Sequence, residues 1–161
     1  MLMNDQHSAL MITVLRKDYP EIATLITAKI SKSLPERSLD DLQYIDQIVA
    51  SFKKAKGIKE HNWTEGKSEI KIVESRDLLL GVILMFYHPE KLMDLTSLRT
   101  KSGVLKNLAF ALGTKQPVLS LRVAIVIVAF RAYEEFRLEV YRLYELIRIE
   151  NKFFEYEADK I

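Results

Sequence analysis

Residues 118–130 read Val-Leu-Ser-Leu-Arg-Val-Ala-Ile-Val-Ile-Val-Ala-Phe, apolar except for Ser120 and Arg122. The β-branched content of Val123–Phe130 suits a buried strand as well as a buried helix, and periodicity inside the block does not separate the two. Its neighbours do. Upstream, Val104, Leu105, Leu108, Ala109 and Leu112 recur at helical spacing from a start at Ser102 to a stop at Gly113. Downstream, Phe136, Val140, Leu143, Ile147 and Phe154 recur in steps of four, three, four and seven. Helical pattern on both sides assigns the block to a helix and the chain to a mainly α class. The block is too short to cross a membrane, which takes about 20 apolar residues, and Arg122 and Arg131 bound it, so no membrane partner is expected.

Working outward, the last helix is expected from Arg131 to about Glu155, within a C-terminal segment 131–158. Such a helix is on the order of 35 Å long. It either spans the domain or pairs with another copy, and its stripe of Phe136, Val140, Leu143, Ile147 and Phe154 is the expected homodimer interface. On the other side, Ser75 is placed to cap a central helix through Leu78, Leu79, Val82, Ile83 and Phe86 that ends near His88-Pro89. Further upstream, helices are expected over Ser8–Asp18, from Pro20 onward, and from an N-cap at Ser38 through Leu42, Ile45, Val49 and Phe52 to Gly57. Residues 57–74 are the least regular. Glu69-Ile70-Lys71-Ile72 alternates polar and apolar, which suggests a short β-hairpin near 60–73, with Trp63 either a core plug or a base-stacking residue. The resulting expectation is a compact multi-helix bundle in a single domain, 1–161. It comprises N-terminal helices (1–56), an irregular loop or hairpin (57–74), a helical core (75–130) and the long C-terminal helix.

The composition agrees. Of 161 residues, 48% are hydrophobic and 29% charged, with only five glycines and four prolines, so breakers are sparse and long disorder is disfavoured. The chain has no cysteine, which excludes disulfides and thiolate metal sites. His7, His61 and His88 are too far apart to read as a metal pair, so neither metal nor cofactor is expected. Asn4, Asp5 and His7 break the basic-then-apolar start of a secretory signal, and a cytoplasmic protein is expected.

The net charge of +2 says little about partners, but its distribution says more. Residues 95–133 carry Arg99, Lys101, Lys106, Lys115, Arg122 and Arg131 and no acid. Such a stretch either faces phosphates or is simply core-rich, with few charges of either sign. The run Lys53, Lys54, Lys56 and Lys59 is either a second patch or a set of helix-end cations.

Residues 108–120, Leu-Ala-Phe-Ala-Leu-Gly-Thr-Lys-Gln-Pro-Val-Leu-Ser, resemble the helix-turn-helix of bacterial and phage DNA-binding proteins. Leu108, Ala109 and Leu112 match the packing positions of the first helix, Gly113 the turn, and Val118 and Leu119 the residues that seat the second. The resemblance implies duplex DNA as partner, with Lys115, Gln116, Ser120 and Arg122 facing the groove and Arg99, Lys101 and Lys106 holding the backbone. The segment departs from the pattern on its outer face, where Leu121, Ala124, Ile125 and Val128 leave little polar surface beyond Arg122.

No catalytic constellation competes. Glu134-Glu135 and Asp40-Asp41 look like helix-start charges, and Gly103 and Gly113 do not form a phosphate loop. Two non-enzymatic classes remain. One is a DNA-binding regulatory or accessory protein acting as a dimer. The other is an all-helical interaction or structural protein with a homo-oligomeric interface and no nucleic acid.

Overall fold

The computed structural model describes residues 5–35, 37–58, 70–93 and 100–155. Among them are eight helices and no strand. In chain order these are α1 (Asp5–Asp18), α2 (Pro20–Ser33), α3 (Tyr44–Lys56), α4 (Ile70–Tyr87), α5 (Pro89–Leu92), α6 (Val104–Leu112), α7 (Gln116–Ala132) and α8 (Glu134–Glu150). The ambiguous block 118–130 lies wholly inside α7, so the mainly α class holds. Ile70–Val73 open α4, which therefore starts five residues before Ser75 and takes over the C-terminal part of the expected hairpin. Four alternating residues are too few to outweigh a helix that continues unbroken to Tyr87. The rest of that hairpin, with Trp63, lies outside the described residues.

Where one domain over 1–161 is expected from sequence, the chain divides into two compact units, Met1–Glu36 and Arg37–Ile161. In the first, α1 and α2 meet across Tyr19, whose N–H donates to the Leu15 carbonyl at 3.0 Å. Pro20 opens α2, where its missing N–H needs no partner. Leu10, Val14, Ile22 and Leu25 remain exposed on these helices.

The second unit is built around α4. Every residue from Leu79 to Tyr87 is buried, and a helix buried all round needs neighbours all round. Helices α3, α5, α7 and α8 supply them. The α4–α8 seam closes on Gly81, where an added Cβ would lie 2.9 Å from Val140 Cγ2. Residues 37–43 are tied to the end of α4 without being helical: the Leu39 N–H donates to the Phe86 carbonyl at 2.7 Å, and the Tyr87 hydroxyl donates to the Asp41 carbonyl at 2.6 Å. Ser38 therefore caps nothing. The Asp41 carboxylate accepts the Gln43 N–H at 3.0 Å, a local turn that delays α3 to Tyr44. Gly57 ends α3 in the left-handed region (φ 64°), as its position in the sequence suggests.

Two lysines of the upstream basic run, in the last turn of α3, pair with carboxylates of α8. Lys54 Nζ lies 2.8 Å from Glu150 Oε1, and Lys56 Nζ lies 3.2 Å from Glu139 Oε1. Glu139 also accepts two bonds from the Arg142 guanidinium, at 2.8 and 2.7 Å. Arg142 first, then Lys56, hold the Glu139 carboxyl down to about 2, against the opposing effect of burial. A depressed carboxyl stabilises the fold above its unfolded value near 4.5 and loses that contribution as pH falls toward 2. Glu139 is partly solvated, so the contribution is about 1–2 kcal/mol. Urea unfolding at pH 7, 4.5 and 3 is expected to show wild type losing this increment on acidification. Glu139→Gln, already weaker at pH 7, is expected not to lose it; parallel losses in both proteins would remove Glu139 from the account.

The expected C-terminal helix is α8, which starts at Glu134, three residues later than Arg131. The chain breaks at Tyr133, which is extended (φ −111°, ψ 110°), and Arg137 donates to the Phe130 and Arg131 carbonyls there, each at 3.1 Å. Helix α8 then runs 17 residues, about 25 Å, and ends at Glu150 instead of continuing to about Glu155. Lys152 (φ 53°) and Phe154 (φ 71°) turn the chain back and bury Phe153 edge-on to Tyr44 and Phe86, with ring centroids at 5.3 and 5.4 Å. Val140, Leu143 and Ile147 are fully buried within this unit, and Phe136 and Phe154 are partly buried against the same core. The stripe assigned from sequence to a homodimer is thus the inner face of the fold. A helical stripe specifies that a face is covered, not which chain covers it.

Candidate functional site

The corner between α6 and α7 is formed by backbone geometry that the sequence demands. Gly113 adopts φ 64°, and its N–H and that of Thr114 return to the Phe110 and Ala109 carbonyls at 3.1 and 2.9 Å. A side chain at Gly113 would strain this left-handed position. Lys115 is extended, Pro117 occupies the first turn of α7, and the two helix axes bend by 110° across three residues. Leu108, Ala109 and Leu112 of α6 and Leu119 and Val123 of α7 are buried. This is the turn length and angle of a helix-turn-helix.

The predicted groove and backbone contacts separate into three groups. Arg99 lies outside the described residues. Lys101, Ser120 and Arg122 are engaged within the unit. Lys101 Nζ sits 2.8 Å from Asp40 Oδ1 and donates to Ser38 Oγ at 3.2 Å. Arg122 is gripped by Asp77 of α4, with its Nε 2.9 Å from Oδ1 and its Nη2 on Oδ2. Ser120 Oγ donates to the Gln116 carbonyl of its own helix at 3.2 Å. Lys106, Lys115 and Gln116 are exposed. Lys106 and Gln116 share an open cleft of about 520 Å³ with Ser102, Gly103, Asn107 and Phe110. The Phe110 ring is 89% exposed at its rim.

The acid-free stretch therefore has less free charge than its sequence implies, because Lys101 and Arg122 take carboxylates from far along the chain. Asp40 and Asp77 lie 61 and 45 residues away, and no local pattern signals such pairs.

Among the described residues, the outer face of α7 carries a continuous row of exposed apolar side chains. Val118 is 44% exposed, Leu121 76%, Ile125 47% and Val128 59%, in steps of three, four and three. Ala132 continues the row after four more residues and is also exposed. Helix α7 is thus apolar on its inner face, where Leu119, Val123, Val126 and Phe130 are buried, and apolar again on the opposite side.

Elsewhere, His88 is buried at the start of α5, where desolvation lowers its pKa; its Nδ1 has no hydrogen-bond partner among the described residues. Among the described residues no group of three metal-binding side chains converges, and no single helix is long and apolar enough to cross a membrane. The chain matches no protein-family model, no curated protein and no solved structure.

Proposed function

We propose that this chain is a non-enzymatic helical interaction protein whose contact surface is the outer face of α7. The supporting observation is the row Val118, Leu121, Ile125 and Val128, all exposed on one side of one helix. Contiguous exposed apolar surface is costly in water and marks a face that another macromolecule covers. A base-reading helix presents polar side chains at these positions, because hydrogen bonds to base edges carry the discrimination. Here the polar groups nearest the row are turned away: Arg122 to Asp77, Ser120 to its own helix.

A second reading, duplex DNA binding, is favoured by the 110° corner and by the exposure of Lys106, Lys115 and Gln116 beside it. The two readings separate in one pair of measurements. An interaction protein gives no shift of a random duplex in moderate salt, and its solution mass rises with concentration unless Leu121→Glu is introduced. Leu121 is 76% exposed, so the substitution leaves helix content and melting temperature unchanged. Duplex binding that falls steeply with salt and is lost in Lys115→Glu, in a protein monomeric at all concentrations, would overturn the proposal in favour of DNA.

A further inference from the structure

We propose that His88 is an acid-sensitive latch: while its imidazole is uncharged, residues 37–43 stay closed on the end of α4, and a proton on the ring opens them. The device is independent of whatever covers α7. His88 sits where α4 passes into α5, and its backbone is fixed on both sides. Its N–H donates to the Leu84 carbonyl at 2.7 Å, and its carbonyl accepts the Lys91 N–H at 3.1 Å. The residue is 9% exposed, and its buried Nδ1 meets no hydrogen-bond partner among the described residues. A neutral imidazole leaves one ring nitrogen unused at modest cost. An imidazolium carries a proton on both nitrogens and needs an acceptor or solvent for each, so a charged ring at this place has to reach water.

The segment that gives way is the one tied to the neighbours of His88. The Leu39 N–H is held by the Phe86 carbonyl, and the Asp41 carbonyl by the Tyr87 hydroxyl. Lys101 closes the outside, with its Nζ 2.8 Å from Asp40 Oδ1, 3.2 Å from Ser38 Oγ and 3.4 Å from the Leu39 carbonyl. A short non-helical stretch held by so few bonds opens at far lower cost than α4, which is buried from Leu79 to Tyr87. Three charges act on the ring. Glu90 of α5 favours a proton there, while Lys91 of α5 and Lys101, the cation that also ties the segment down, oppose it. From the segment itself, Asp40 is engaged by Lys101. On α4, burial holds the Tyr87 hydroxyl protonated, and among the described residues no charge of α4 or α7 acts on the ring. Desolvation outweighs Glu90, so the closed form binds the proton more weakly than an open form whose ring titrates near 6.5. Closure is therefore unopposed above pH 6.5 and weakens as pH falls below it.

The chain has three histidines, so His7→Gln with His61→Gln leaves His88 as the one imidazole signal in an NMR titration. Its midpoint is expected below 6.5. Amide exchange read as protection factors, which removes the intrinsic pH dependence of exchange, follows the segment. From about pH 7.5 to about pH 5.5 the Leu39 amide is expected to lose ~3- to 10-fold in protection, the upper figure being the limit set by one pH unit below the open-form value. The Ile83 amide, inside α4, is expected to keep its protection. In His88→Gln, which cannot take up the proton, Leu39 protection is expected to be the same at both pH values. Lys101→Met tests the link without touching the buried ring: it lowers Leu39 protection at both pH values and moves the His88 midpoint up toward 6.5. A His88 midpoint at or above 6.5, or Leu39 protection that does not change with pH, overturns the latch. So does an equal loss at Ile83, which would spread the effect over the whole unit, the same pH dependence in His88→Gln, or a midpoint that Lys101→Met leaves unmoved.

Discussion

Gly81→Leu is expected to destabilise the Arg37–Ile161 unit by about 3 kcal/mol, near the top of the usual range for overpacking a core. A Cβ alone at this position reaches within 2.9 Å of Val140 Cγ2 and 3.7 Å of the Phe136 ring. Val140 is fully buried and branched at Cβ, so it has no room to retreat and few rotamers to try. Opposing this, replacing a mid-helix glycine favours the helix by about 1 kcal/mol. The steric term wins because α4 is packed on all sides and cannot slide from α8 without opening its contacts with α3, α5 and α7. Urea denaturation measures the loss. The paired test is Gly81→Ala with and without Val140→Ala: the second substitution should offset part of the cost of the first, a coupling that independent sites do not show. Strict additivity would mean that the two helices do not approach as closely as described.

Phe86→Ala is expected to cost about 4 kcal/mol, in the range for deleting a fully buried aromatic ring. Phe86 has no exposed surface, and its ring sits 4.5 Å from Tyr144 and 5.4 Å from Phe153, centroid to centroid. These partners come from α8 and from the turn after it, so the cavity opens where three segments meet and none can collapse into it alone. Unfolding free energies of domains run to about 5–15 kcal/mol, so the variant should be marginally folded at best. Phe110→Ala is the control. That ring is 89% exposed, and its removal should change stability by less than ~0.5 kcal/mol. A Phe86→Ala protein with a urea midpoint near that of Phe110→Ala would contradict the central place given to α4.

Local sequence pattern was sufficient for most helices. Pro20, Gly57, Gly113 and Pro117 mark starts and stops through backbone restrictions that hold in any context, and the helix boundaries beside them follow. Residues 78–86 read as a central helix because they are apolar on every side, and 79–86 are buried, with Leu78 partly so. Where local signals were absent, the boundaries shifted. The turn after α8 places Lys and Phe, not glycine, in the left-handed region, so nothing in the sequence announces that the helix stops at Glu150. Ser38 looks like a cap, but the chain beside it is held by Phe86 and Tyr87, more than 40 residues away.

Residue spacing alone announces the helical class, the corner at Gly113 and the two-sided apolar character of α7, because each depends on spacing within one turn or on the conformational range of one residue. Which apolar face is core and which stays exposed was settled only by packing in three dimensions. The α8 stripe went inward and the outer row of α7 stayed exposed, although both satisfy the same helical spacing. Packing also decided that Lys101 and Arg122 are paired to Asp40 and Asp77, since ion pairs depend on distance in space and leave no trace in separation along the chain.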